Sequence, residues 1–320
     1  MVCKDNKNLK YIDTRKIYSV SFVSLCLCVI PFQFFLLVSC QTIPKVQDTF
    51  LEEIQFLPLE SGASAYIFAN VQKARSILDL LPFEELNDKQ ARQMMDRTGY
   101  FTAALFPQES GKRFQLAAWG NYPSFQAGFA FSFDRNWKKQ KAAAGGSYWH
   151  SSLNRLSISM TSKQAFIASS LTDEPFDPLV SSNQGGVEIP EGFNEFRRLQ
   201  GGSADLSCWL ENPSDTITQM LNNEGLPIRF PVKKLFFNLE SISGGKYEAV
   251  IRLHFENSTQ ARGIASILNL ASGFGFADSN FVTSVFLSTP SVQNGNSLDF
   301  FSGVLGEQDV LQLFDMFLSL

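Results

Sequence analysis

Residues 234–255 read KLFFNLESISGGKYEAVIRLHF. Two runs rich in Phe, Leu, Val and Ile, Lys234–Ile242 and Tyr247–Phe255, flank Ser243-Gly244-Gly245. Short apolar runs separated by a glycine-containing turn predict an antiparallel hairpin. Within Ile251-Arg252-Leu253-His254-Phe255, His254 alternates with apolar residues, so it should lie on one face of a strand.

Working outward, the same arrangement recurs upstream. Gly99–Phe106 and Arg113–Gly120 flank the turn-rich segment Gln108-Glu109-Ser110-Gly111-Lys112. A strand-like opening precedes each hairpin: Gly62-Ala63-Ser64-Ala65-Tyr66-Ile67 in the first case, Gly201-Gly202-Ser203-Ala204-Asp205-Leu206 in the second. Helical spacing follows each opening. Val71, Ala74, Ile77, Leu78 and Leu81 form one stripe, and Ile217, Met220 and Leu221 another, behind Asn212-Pro213 as cap and first helical residue. After each hairpin, Ser124-Phe125-Gln126-Ala127 with Ser132 matches Ser258-Thr259-Gln260-Ala261 with Ser266 at a constant offset of 134. Further strands are expected at Leu156–Met160 and Ala165–Ser169, and at Val282–Ser288 and Leu298–Phe301 around Asn294-Gly295-Asn296. Each unit closes on an acidic segment, Asp173–Leu179 or Glu307–Leu320.

The expected fold is therefore α+β: two diverged repeats, each ordered β-α-β-β-α-β-β-α, forming antiparallel sheets with helices packed on one face. The first repeat spans 62–179, a linker covers 180–200, and the second repeat with its apolar C-terminal helix covers 201–320. A groove between the copies would be the natural binding place.

Composition narrows the function. Apolar residues are 44% and charged residues 18%, which suits a folded chain with a core. Phe is abundant, 31 residues against 7 Tyr and 4 Trp, and rings without a polar handle imply a large core or an apolar contact surface. Residues 1–39 carry five basic and two acidic groups. The remainder holds 22 basic and 29 acidic, a net charge of −7. An acidic body argues against nucleic acid and against simple electrostatic docking on anionic lipid.

Catalytic and metal chemistry lacks a constellation. The two histidines, His150 and His254, sit far apart in sequence outside any motif and read as structural. No H-E-x-x-H, C-x-x-C, EF-hand loop or G-x-S-x-G is present. Ser243-Gly244-Gly245-Lys246 matches S-x-x-K only as a turn. The chain is expected to be no enzyme, with no metal and no dissociable cofactor. Cys208, among Leu206, Trp209 and Leu210, reads as a small buried hydrophobe.

Apolar surface is the stronger signal. In the C-terminal helix, Val310, Leu313, Phe314, Phe317 and Leu320 line one face, and Leu318 broadens it. A helix apolar nearly all round is buried in the core, in a partner or in lipid. Phe274 and Phe276, between Gly273 and Gly275 and beyond, form a second candidate contact in an apolar loop.

The N-terminus sets the address. Residues 1–16 are polar and net positive, and Ile17–Ser39 is the uncharged run IYSVSFVSLCLCVIPFQFFLLVS. The alternative, an uncleaved signal anchor, is interrupted by Pro31 and Gln33. The run ends Leu37-Val38-Ser39-Cys40, which resembles the lipobox of bacterial lipoproteins. That resemblance implies a signal peptide over 1–39, diacylglycerol on the Cys40 thiol, a fatty acid on the new amino terminus, and a short tether over 40–61. Gln41 after the cysteine is similar to the outer-membrane sorting class, facing the periplasm. With the long polar leader, the Phe-rich body and the acidic balance, the chain resembles treponemal and other spirochaete lipoproteins associated with the outer membrane. That likeness implies a membrane-lipid partner engaged through amphipathic helices, while the duplication offers the inter-repeat groove as the other place for lipid or another apolar ligand. A scaffold subunit docking on an envelope protein is the alternative.

Overall fold

The ladder of the hairpin at 234–255 lies near the middle of one large sheet. β11 (Val232–Ser241) and β12 (Tyr247–Phe255) pair antiparallel, and the chain reverses through Gly244 and Gly245, both at positive φ (67° and 68°). Positive φ is strained for a residue with a Cβ, so this turn needs its glycines. The structure, a computed structural model, describes residues 56–80, 89–107, 114–122, 128, 131–142, 146–153, 155–162, 165–170, 186–198, 204–223, 229–273 and 291–318.

Among the described residues ten further strands join the sheet: β2 (Ala65–Asn70), β3 (Thr98–Leu105), β4 (Phe114–Gly120), β5 (Lys138–Lys141), β6 (Ser147–Ser151), β7 (Leu156–Ser162), β8 (Ala165–Ser169), β10 (Leu206–Glu211), β13 (Val292–Asn294) and β14 (Ser297–Phe301). Their spatial order is β13-β14-β12-β11-β10-β2-β3-β4-β8-β7-β6-β5, with antiparallel pairing throughout. A separate two-stranded ribbon joins β1 (Phe56–Leu57) to β9 (Val187–Glu188). The expected pair of sheets is thus a single sheet. β2 and β10 hydrogen-bond directly, with Cys208 opposite Ile67, so no groove in the sheet separates the halves.

Alternation along each strand builds two cores. On one face Leu206, Cys208 and Leu210 of β10 join Leu235, Phe237 and Leu239 of β11 and Ala249, Ile251, Leu253 and Phe255 of β12. Among the described residues, side chains reach this face from α1 (Arg75–Leu80), α4 (Ser214–Asn223), α5 (Ser258–Gly273) and α6 (Glu307–Leu318). α2 (Lys89–Arg97) adds Met94 and Met95. Toward β7 the same face continues through Leu116, Phe131, Trp137 and Ile158.

The opposite face is covered as well. Tyr66, Phe68, Tyr100, Trp209 and Phe236 pack beneath Leu57, Leu59 and α3 (Phe193–Phe196), whose Phe193 and Phe196 are fully buried. Helices on one face only was the expectation, and α3 departs from it. The expected tether ends inside this core, with Leu57 and Leu59 at 0% and 2% exposure. The expected linker supplies Ile189, Phe193 and Phe196 to the same core. Each buried Phe contributes about 1.5–3 kcal/mol, so these segments are structural parts of the body. Among the residues named here, the Phe-rich composition is core.

Two local expectations shift. β14 pairs with Val292–Asn294 around Gly295, while the expected strand at 282–288 lies outside the described residues. Asn212 takes a left-handed conformation (φ 50°), and the helix begins at Ser214, with the Ile217 N–H donating to the Pro213 carbonyl.

Candidate functional site

α5 starts on a side-chain cap. The Gln260 N–H donates to Asn257 Oδ1 (3.0 Å), and Gln260 Oε1 accepts from the Glu256 N–H (3.2 Å). These bonds satisfy donors that a helix start otherwise leaves open. Ala261, Ile264 and Leu268 recur at helical spacing and are buried against the sheet. The outer face differs from that of an ordinary surface helix. Ile267 and Leu270 stand 39% and 63% exposed, and no charged residue occurs from Gly263 to Ala277. Solvent-facing helical positions in a soluble body usually carry charge, so this outer face is the candidate contact surface. Neither Ile267 nor Leu270 was singled out from sequence. The signal was present in the charge-free run beyond Arg262.

The C-terminal helix sits differently. Asp309 Oδ2 accepts the Gly306 N–H at 2.7 Å and opens α6. Val310 and Leu313 then enter the main core at 0% and 1% exposure, and Phe314 packs half-buried beside them. Three of the candidate contact residues are thus held by the body itself. The side chains of Phe317, Leu318 and Leu320, the residues Phe274 and Phe276, and Cys40 lie outside the described residues.

Among the described residues the titratable groups named below form no reactive arrangement. Cys208 is buried and its thiol is pushed up to about 12 by desolvation, so it stays protonated and inert. His254 Nδ1 lies 2.8 Å from Ser297 Oγ, and its ring meets Phe236 edge-on at 4.4 Å. Burial, reinforced by the neighbouring Arg252 charge, lowers its pKa to about 4, so it is neutral at pH 7. Arg252 forms a buried two-pronged pair with Asp299, Nε to Oδ1 at 2.6 Å and Nη2 to Oδ2 at 2.8 Å. Its guanidinium also lies 5.2 Å from the Phe196 ring. His150 makes the corresponding bond to Ser157 Oγ, 2.9 Å from its Nδ1. The two histidines stand on β6 and β12, eight strand positions apart, or about 38 Å at the usual strand spacing. They do not converge. Among the described residues no cluster of His, Cys, Asp or Glu could hold a metal ion, and no helix is long and apolar enough to cross a membrane.

The comparisons agree with an envelope address. The sequence model of a family described as outer membrane-associated lipoprotein TP0453 matches residues 54–275. No curated protein matches the chain significantly. Among solved structures, crystal form III of TP0453 is 18% identical and superposes with a TM-score of 0.56, covering 84% of this chain and 100% of its own. Crystal form IV is 17% identical, with a TM-score of 0.56 over 85% and 99% of the two chains. Crystal form I is 17% identical, with a TM-score of 0.55 over 83% and 97%. At that identity the likeness is one of fold.

Proposed function

This chain belongs to the family of outer membrane-associated lipoproteins, and on that premise we propose that it is a non-catalytic envelope protein whose folded body engages lipid through the outer face of α5. The observation that carries the reading is the exposure of Ile267 and Leu270 on a helix with no charge beyond Arg262. An apolar helical face laid on a bilayer gains free energy in proportion to the area it buries. Cys40 supplies the anchor: a diacylglycerol on its thiol and a fatty acid on its amino group would hold firmly where one chain holds marginally. Leu59 is already in the core, so the tether is short and keeps the body near the bilayer.

The same reading takes the body as two diverged copies of one unit. The strand order supports it. Outward from the β2–β10 junction run β2-β3-β4 on one side and β10-β11-β12 on the other, each closed by later strands. A smaller parallel supports it too: Ser132 Oγ donates to the Gly128 carbonyl, and Ser266 Oγ to the Arg262 carbonyl, both at the offset of 134.

The test is vesicle flotation of the mature chain, residues 40–320 with Cys40→Ser, beside the same chain carrying Ile267→Glu and Leu270→Glu. Both residues are exposed, so the fold should persist. Flotation of the parent and loss of flotation in the double variant support the reading. Flotation of neither, with both folded, leaves Cys40 as the sole attachment and favours a scaffold docking on an envelope protein.

A further inference from the structure

The far end of the sheet carries charge opposite to that of the rest. Residues 131–160 hold five basic side chains, Arg135, Lys138, Lys139, Lys141 and Arg155, against one acidic, Asp134. Among the described strands β5 and β13 are the two edges of the sheet, about 50 Å apart at the usual strand spacing. The β5 edge is therefore a locally basic patch on an otherwise acidic chain.

All five cations are exposed, and none is held in an ion pair with a described carboxylate. Asp134 is engaged by its own turn, accepting the Asn136 N–H at 2.9 Å. Lys139 reaches over the Trp149 ring at 5.9 Å. Lys138 stands opposite His150 in the β5–β6 ladder, so the segment entering β5 and the turn after β6 share one end of that hairpin. To this end belong Phe133, 68% exposed, and Leu153, 72% exposed, together with Arg135, Lys138 and Arg155. Lysines on an edge strand also deter pairing with another chain. That role calls for neither the arginines nor two exposed large apolar side chains.

We propose that this end of the sheet is a second membrane contact, in which Lys138, Lys139, Lys141, Arg135 and Arg155 meet anionic phospholipid headgroups and Phe133 and Leu153 reach the acyl boundary. It rests on the reading of the body as membrane-engaging, but its chemistry is charge rather than apolar area. The net charge of −7 does not oppose it. Screening confines each charge to about 10 Å at 0.1 M salt, so the local balance of five basic groups to one acidic over residues 131–160 decides the contact. The exposed Phe and Leu favour a lipid surface over a soluble polyanion, which offers them nothing to enter.

The experiment compares binding of the mature chain with Cys40→Ser to vesicles of phosphatidylcholine alone and of phosphatidylcholine mixed with phosphatidylglycerol. A second variant carries Lys138→Gln, Lys139→Gln and Lys141→Gln, with its fold checked by circular dichroism. The parent should prefer the anionic vesicles, and salt should erase the preference. Loss of the three lysines should lower anionic binding by roughly a hundredfold, about fivefold each, while leaving neutral binding unchanged. Phe133→Ser with Leu153→Ser should weaken anionic binding with the lysines intact. Equal binding to both vesicles, a lysine variant indistinguishable from the parent, or lysine-dependent binding of soluble polyphosphate without vesicle binding would each overturn the proposal. Because the α5 reading is tested on neutral vesicles by Ile267→Glu and Leu270→Glu, the two can fail separately.

Discussion

Tyr66 and Trp209 stack directly opposite one another across the β2–β10 junction, ring centroids 4.7 Å apart and planes 25° from parallel. This pair fastens the two halves of the sheet on the face away from the long helices. Phe68 and Phe193 close around the same indole, at 5.5 and 4.8 Å. Trp209 is fully buried, so Trp209→Ala should cost about 3–5 kcal/mol, read as a lower urea midpoint by circular dichroism. Trp209→Phe should cost clearly less, because it keeps a ring at the junction.

The ribbon that covers this face depends on close backbone approach. A Cβ at Gly186 would fall on the Leu57 carbonyl oxygen, where β1 and β9 pair. Backbone cannot yield as a flexible side chain can. Gly186→Ala should therefore destabilise by about 1–3 kcal/mol and speed proteolysis around residues 56–60 and 186–190.

The buried pair of Arg252 and Asp299 gives a sharper test. Asp299→Ala leaves a guanidinium buried without its carboxylate and should cost about 3–5 kcal/mol. Replacing both, Arg252→Met with Asp299→Leu, should recover most of that loss. A double-mutant cycle in urea checks the coupling.

His254 makes stability depend on pH. Its folded pKa, about 4, lies below the ordinary histidine value of 6.5, mainly through burial. Between these values the unfolded chain binds the extra proton, so this group's contribution to stability falls as pH drops from 6.5 toward 4. Asp205 and Glu240 have raised pKa values, both mainly through burial, and contribute with the opposite sign. The difference between the parent and His254→Asn isolates the histidine: the variant should show the flatter profile over that window.

Local pattern revealed most strands. The hairpin at 234–255 lies where its turn and alternation place it, and Gly99–Phe106 with Arg113–Gly120 matches β3 and β4 within a residue or so. What covers the second face was not legible. Phe193 and Phe196 sit in a segment flanked by Gly185-Gly186, Pro190 and Gly192, which reads as a linker, and only the tertiary fold brings them over Trp209. Leu57 and Leu59 were hidden for the same reason: two apolar residues beside Pro58 show no period. At the candidate site, periodicity in α6 marks apolar residues without saying what buries them. Val310 and Leu313 meet the core, whereas Ile267 and Leu270 stay outside it because Ile264 and Leu268 already fill the inward positions.

Placement of α5 against the bilayer is tested most directly by labelling a single accessible cysteine. Leu270→Cys in the mature chain with Cys40→Ser offers one such thiol, since Cys208 is buried. A fluorophore there should be quenched by phosphatidylcholine vesicles with brominated acyl chains, while one at Glu188→Cys, on the opposite face of the sheet, should not. Quenching at 270 alone is the outcome expected of a body that lays α5 on lipid; no quenching at 270 in vesicle-bound protein would contradict it.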